Sequence, residues 1–404
     1  MIIPRLRSDI DVIPTQYQGE RVLVVKDSLG LIKQPVLLRG EDLEFIRLLD
    51  GKNTIQDIQL FLVRQKGGLL VGSEMVRSIV DRFDGLFLLD SENYRQAKKR
   101  IVENFSKQSI RPAYLAGRAY PESGDALRSY LDSILEQEPG GEFPFEKESF
   151  KALIAPHIDP EIGKEIYSRA YRILHRSRPQ KIFLFGTGHS LQGSFISLTE
   201  KDFDTPLGLV QTDSEAVRRL QKSAGQVADP SDFAHRSEHS LEFQVLFLRH
   251  LLGKEFVCVP ILFGSFQDIL KTYSRPTEIP GMKAFLYELK VLVGEASSSA
   301  LCVAGVDFSH IGPKFGHSVH SAVLIQDAKN HDENLIDHIC TGDVKKFWAE
   351  IRKVEGYYNV CGFSALSCLL EVLPQTKGQL LGYDFWEEES TQSAVSYAAI
   401  ALRA

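Results

Sequence analysis

The chain has 404 residues, 43% of them hydrophobic and 25% charged, an ordinary globular composition that excludes wholesale disorder or a fibrous repeat. A formal net charge of −6 offers no broad field to nucleic acid or anionic lipid, and no window of about 18 apolar residues reads as a membrane span. The length suits two or three domains, the start MIIPRLRSDIDVIP is not patterned as a signal peptide, and the expected address is cytoplasmic. The five cysteines (Cys258, Cys302, Cys340, Cys361 and Cys368) are odd in number, form no CxxC pair and read as free thiols.

In chain order, ERVLVVKDSLGLIKQPVLLRG predicts a hairpin of two β-rich runs, near Arg21–Val25 and Pro35–Leu38, around Asp27-Ser28-Leu29-Gly30. Helical patterns follow at Glu41–Asp50, Thr54–Gln65 and Ser73–Asp84, then LFLL as a short closing strand and a polar helix from about Ser91 to Phe105. This is the element list of a small winged-helix-like α+β domain over residues 1–106. Its 16 Lys plus Arg against 15 Asp plus Glu leave a net charge of +1, too little for a duplex-binding face.

Residues 107–404, which include a Pro/Gly/Glu-rich connector, EQEPGGEFPFEKE, alternate apolar strands with amphipathic helices, which argues for α/β layering. The runs at 151–155, 181–185, 255–263 and 300–306 are continuously apolar, as in strands buried on both faces of a largely parallel sheet. GQLLGY and SAVSYAAIALRA add two strands near the C-terminus.

Three of these runs lead directly into a histidine: ALIA into Pro156-His157, KIFLF into Gly186-Thr187-Gly188-His189, and LCVAGV into Asp307-Phe308-Ser309-His310. Ligands of open α/β sheets bind at the carboxyl ends of the strands, so three strand ends would deliver these rings to one crevice. Gly186 and Gly188 would let the backbone pass close to a bound group. A helix starting just after Cys361 would favour thiolate, which is both nucleophile and metal ligand. The separations in sequence are far from zinc-finger or HExxH spacing, so any metal site is assembled by tertiary structure. Glu238, His239 and Glu242 open a helix whose apolar face is Leu241, Val245, Leu248 and Leu252, leaving a polar head for the crevice. Asp307 suits either tautomer control of His310 or a strand-end turn, and the pair His317 and His320 reads as an ordinary helix start.

These residues resemble the Memo family, the mediator-of-cell-motility proteins and their microbial relatives of the AmmeMemoRadiSam system protein B type, whose fold is similar to that of class III extradiol dioxygenases. RPAYLAGRAYP resembles the family's entry segment, and ALIAPH, LFGTGHS, EHSLEFQ, VDFSHIG, VCGFSAL and SAVSYAAIAL resemble six blocks in family order. The resemblance implies His157, His189 and Cys361 as ligands of one divalent transition metal, iron or copper, with His310 as acid/base and His239 and Asp307 lining the pocket. Glu238 joins them, and Asp159 adds a charge where animal members carry a His-Ala-Gly-Tyr sequence. It also implies a radical-SAM protein and a second small protein as partners. The N-terminal domain resembles winged-helix peptide-recognition modules that escort substrates to radical-SAM enzymes. A metal-dependent oxidoreductase or O₂-handling protein acting on a small molecule or peptide is therefore expected. The alternatives are a non-enzymatic peptide- or ligand-binding protein using the same crevice, and a metal-free Cys–His hydrolase or acyltransferase pairing Cys361 with His310.

Overall fold

The structure is a computed structural model that describes residues 2–27, 29–65, 67–68, 70–136, 150–175, 178–296, 299–373 and 376–403. The expected connector falls almost wholly outside these residues, as does Ser28 of the expected turn. The chain divides into two compact units, Met1–Lys107 and Gln108–Ala404.

The first unit opens with strands β1 (Asp11–Tyr17), β2 (Glu20–Lys26) and β3 (Val36–Leu38), an antiparallel sheet in the order β1-β2-β3. The β2–β3 pairing is the expected hairpin. Strand β1 was not legible because Pro14 breaks its pattern; at a sheet edge the missing N–H is tolerated. Gln18 and Gly19, both at positive φ, make the tight turn between β1 and β2. Helices α1 (Glu41–Ile46), α2 (Ile55–Gln65), α3 (Ser73–Gly85) and α4 (Glu92–Ser106) follow. The first is shorter than its pattern because buried Leu49 turns into the core and its carbonyl accepts from the Leu6 N–H. The expected strand at LFLL is instead a single bridge, Leu6↔Leu89. Val25, Leu38, Phe45, Ile58, Val76 and Phe83 form the centre of this unit's core.

The second unit contains, in chain order, β4 (Ile110–Arg111), α5 (Gly124–Leu135), β5 (Phe150–Ala155), α6 (Lys164–Tyr171), β6 (Lys181–Thr187), β7 (Ile196–Leu198), β8 (Asp202–Phe203), β9 (Gln211–Thr212) and α7 (Ser214–Ala224). It continues with α8 (His239–Leu252), β10 (Val257–Phe263), α9 (Met282–Ala296), β11 (Ala300–Gly305), β12 (His310–Ile311), α10 (Ser321–Cys340), α11 (Val344–Lys353), α12 (Phe363–Val372), β13 (Lys377–Glu388) and β14 (Ser393–Arg403). The main sheet runs β12-β14-β5-β11-β6-β10-β7, with β13 beside β14 and β9 beside β10. Its centre, β5-β11-β6-β10, is parallel, which is why those segments are apolar without alternation. One face packs on α7, α9, α10, α11 and α12 through residues such as Val217, Leu289 and Trp348. The other packs on α5, α6 and α8 through Leu131, Tyr167 and Phe247. The fold is α/β, as expected.

Register sets up the site. Gly305 lies opposite both Ala155 and Gly186, and Phe263 opposite Thr187. Three parallel strands thus end level with one another, and the residues just beyond them are His157, His189 and Asp307.

Candidate functional site

His157, His189 and Cys361 each present a ligand-type atom, and the three atoms lie within 4.8 Å of one another. His157 follows β5, is buried, and its Nδ1 lies 2.9 Å from the Gly305 carbonyl oxygen. A carbonyl only accepts, so Nδ1 carries the proton and Nε2 turns its lone pair toward the Cys361 Sγ, 3.4 Å away. His189 Nδ1 lies 2.9 Å from Glu238 Oε1, and the same reasoning leaves Nε2 as the ligand atom. Cys361 is carried by the segment before α12. Its N–H donates to the Phe308 carbonyl, its carbonyl accepts from Thr187 Oγ1 at 3.2 Å, and its Sγ donates to the Asp307 carbonyl at 3.3 Å.

Burial, with His239 and His189 nearby, holds the His157 imidazole well below its ordinary pKa, so the ring stays neutral and its lone pair available. Cys361 departs from the expectation of a thiolate. Burial, reinforced by the Asp307 carboxylate, pushes the thiol well above its ordinary value, and the helix N-terminus does not offset this. A cation would reverse the balance, since a coordinating thiol is deprotonated outright.

Glu238 is the N-cap of α8, accepting from the Ser240 N–H, and it also accepts from the His189 N–H. Although burial works the other way, His189, His239 and the Ser240 N–H hold its carboxyl well below the usual carboxylate range. His189, Glu238 and His239 form a second group of ligand-type atoms. With both Glu238 oxygens already accepting backbone N–H groups, that carboxylate is suited to orienting His189 rather than to binding an ion. The His239 ring centroid is 4.7 Å from that of His189 and 5.0 Å from that of His157, and burial beside His189 brings its pKa down to about 4. The side chains of His189 and His239 are 40% and 36% exposed against 2% for His157, so the crevice opens on their side.

Asp307 accepts the His157 N–H on Oδ1 and places Oδ2 3.6 Å from His157 Nε2, while burial pushes its carboxyl up to about 7. His310 begins β12, with Nδ1 3.0 Å from the Phe308 carbonyl oxygen and a pKa lowered by burial to about 4. The ring at hydrogen-bonding distance from Cys361 is thus His157, not the His310 of the hydrolase alternative. At three other expected positions the structure adds detail. Gly186 and Gly188 serve packing: a Cβ on Gly186 would come within 2.6 Å of Ser240 Oγ and Leu241, and one on Gly188 within 2.9 Å of Leu191. Asp159 accepts the Glu161 N–H inside its own turn. Helix α8 has no free apolar stripe, because Ser240 to Leu248 are all buried. His317 is buried between the Gly312 backbone and the Tyr357 carbonyl, with His320 as the N-cap position of α10.

Several supporting residues were not singled out, and Glu242, expected at the polar head of its helix, was given no partner. Arg111 is fully buried, donating to the carbonyls of His235 and Glu238 and pairing with Glu242 at 2.5 Å. Glu242 also accepts from the Leu115 N–H and Tyr120 Oη, which ties the entry segment to the helix carrying His239. Gln244 Nε2 donates to the Pro156 carbonyl, and Tyr171 Oη donates to Gln244 Oε1. The available signal was Glu242 one helical turn after Glu238, with Gln244 two residues further on, among the apolar residues of α8.

The Memo-like protein family model matches residues 111–401, which span every residue of this crevice. The chain belongs to that family. A MEMO1 family protein of Aquifex aeolicus is 28% identical over 391 residues, covering 95% of this chain and 96% of its own. One from Thermus thermophilus is 25% identical, covering 88% of this chain and 100% of its own length. One from Pyrococcus abyssi is 28% identical and matched over 99% of its length, yet covers only 73% of this chain.

Among the described residues, no helix is long and apolar enough to cross a membrane.

Proposed function

We propose that this Memo-like protein is a cytoplasmic metal-dependent oxidoreductase acting on a small molecule or peptide, with iron or copper held by His157 Nε2, His189 Nε2 and Cys361 Sγ. The observation that carries the reading is the donor set: two imidazoles whose Nδ1 atoms are engaged elsewhere, and a sulfur, all within 4.8 Å. Two imidazoles and one anionic sulfur fit a redox-active transition ion and leave coordination positions for a substrate. Such an ion supplies Lewis-acid polarisation and one-electron chemistry.

The chain's own residues do the rest. Gly305 and Glu238 fix the two ring tautomers, while the Asp307 carbonyl and Thr187 hold Cys361. His310, with its Nδ1 proton on the Phe308 carbonyl, can receive a proton at Nε2. His239, on the open side, can do the same for a substrate entering there. The working partners proposed are a radical-SAM protein and a second small protein, as the resemblance implies.

The test is metal content of protein purified without air. Wild type should carry about one iron or copper per chain, and His157→Ala, His189→Ala and Cys361→Ala should each lose most of it, whereas His310→Ala should keep it. Full metal retention in Cys361→Ala would overturn the reading.

A further inference from the structure

Asp332, on α10, is fully buried, and its carboxylate gathers three hydroxyls: Ser309 Oγ at 2.7 Å on Oδ1, with Ser396 Oγ at 2.5 Å and Tyr383 Oη at 2.8 Å on Oδ2. Burying a carboxylate without a cationic partner is expensive, and an apolar residue of similar volume would be cheaper if packing were the only need. Its desolvation is visible in a carboxyl pushed up to about 6.

Two of the three hydroxyls lead to the crevice. Ser309 lies between Phe308 and His310, and its N–H donates to Ser396 Oγ at 2.8 Å. The Phe308 N–H donates to the Ser396 carbonyl, and the Ser396 N–H to the Ser309 carbonyl. The turn from Asp307 to His310 is thereby zipped onto β14, with both serine hydroxyls converging on one carboxylate. From that turn the Asp307 carbonyl receives the Cys361 thiol and the Gly362 N–H, and the Phe308 carbonyl receives the Cys361 N–H and faces His310 Nδ1. Tyr383 reaches Asp332 from β13, the strand on the far side of β14; its hydroxyl also hydrogen-bonds the Ser396 side chain, so it meets the clamp at β14 and not at the turn itself.

We infer that Asp332 is a positioning residue, which through Ser309 and Ser396 sets the aim of both Cys361 and His310. The inference rests on the crevice being the functional site but not on which ion, or whether any ion, occupies it.

Ser309→Ala and Tyr383→Phe each remove one hydroxyl donor from the same carboxylate, so a purely structural role predicts like effects. The readouts, on the metal-free full chain, are the His310 pKa by NMR titration and the rate of Cys361 alkylation by iodoacetamide. Ser309→Ala should let water reach the loosened turn, raising the His310 pKa by about one unit toward its ordinary value and speeding alkylation roughly tenfold. Tyr383→Phe, which meets the clamp only through Ser396, should move the pKa by less than about half a unit and the rate by no more than about threefold. Should Ser309→Ala not fold, Ser396→Ala is the replacement, with the same shifts expected. Equal effects in the serine and tyrosine variants, or no movement in the serine variant, would overturn the inference. Because no metal is present in the measurement, a failure of the metal-site proposal would not produce either result.

Discussion

The two imidazoles of the ligand cluster are held by opposite means. His157 sits on the closed side, with Nδ1 on the Gly305 carbonyl and its N–H on Asp307, and backbone on three level strand ends defines where it can go. His189 faces the open side and is held by a side chain, the Glu238 carboxylate, which is itself fixed as the cap of α8. A carbonyl partner supplied by a strand cannot be altered without altering the strand. A carboxylate partner can be replaced with little change of shape. The closed side should therefore respond to mutation through folding, and the open side through ligand affinity.

The largest effect is expected from Gly305→Ala. A Cβ there would lie 2.1 Å from the Ser240 carbonyl oxygen and 2.7 Å from Gln244 Nε2, so α8 must move away from the sheet. Urea unfolding should show a loss of about 3 kcal/mol or more, accompanied by loss of bound metal. A variant as stable as wild type would show that the closed side is softer than its packing implies.

Glu238→Gln is the matching experiment on the open side. It should weaken metal binding by about 10–100-fold, measured by competition with a chelating dye, while stability falls by only about 1–2 kcal/mol, from the one backbone N–H left facing an amide donor. A collapse in stability with unchanged affinity would invert the comparison.

The smallest effect is the pH dependence of His310. Its folded pKa of about 4 lies below the ordinary 6.5, so between these values the unfolded chain binds a proton that the folded chain does not. Stability from this group is therefore complete above about pH 6.5 and lost as pH falls toward 4. Relative to His310→Gln, the metal-free wild type should lose roughly 2 kcal/mol across that window, after allowance for solvent screening. A flat difference would mean that the ring is solvated in the folded state.

Much of this was legible in the amino-acid order. The apolar runs at 151–155, 181–185 and 300–306 named the parallel strands, and the histidines shortly past them named the crevice, because parallel strands bring their carboxyl ends to one edge. The boundaries of β10 and α12 are within a few residues of those expected. Less legible were elements whose pattern is broken for a tertiary reason. Strand β1 contains a proline that only an edge position admits, and α1 ends early because Leu49 is drawn into the core. Gly186 carried a misleading signal, since a glycine beside a site makes room for a ligand or for a helix with equal ease.

Local residue order by itself determined the fold class, the strand ends and which side chains could bind a metal, since those depend on hydrophobic periodicity and on the chemistry of single residues. Tertiary structure alone decided the rest: that His157 rather than His310 faces Cys361, that the thiol is held protonated in the absence of a cation, and that Arg111, Glu242 and Asp332 brace the crevice from positions up to 131 residues away from their partners. Those outcomes depend on burial and on contacts between distant segments. Desolvation and hydrogen bonding, which set both pKa and ring orientation, have no counterpart in local spacing.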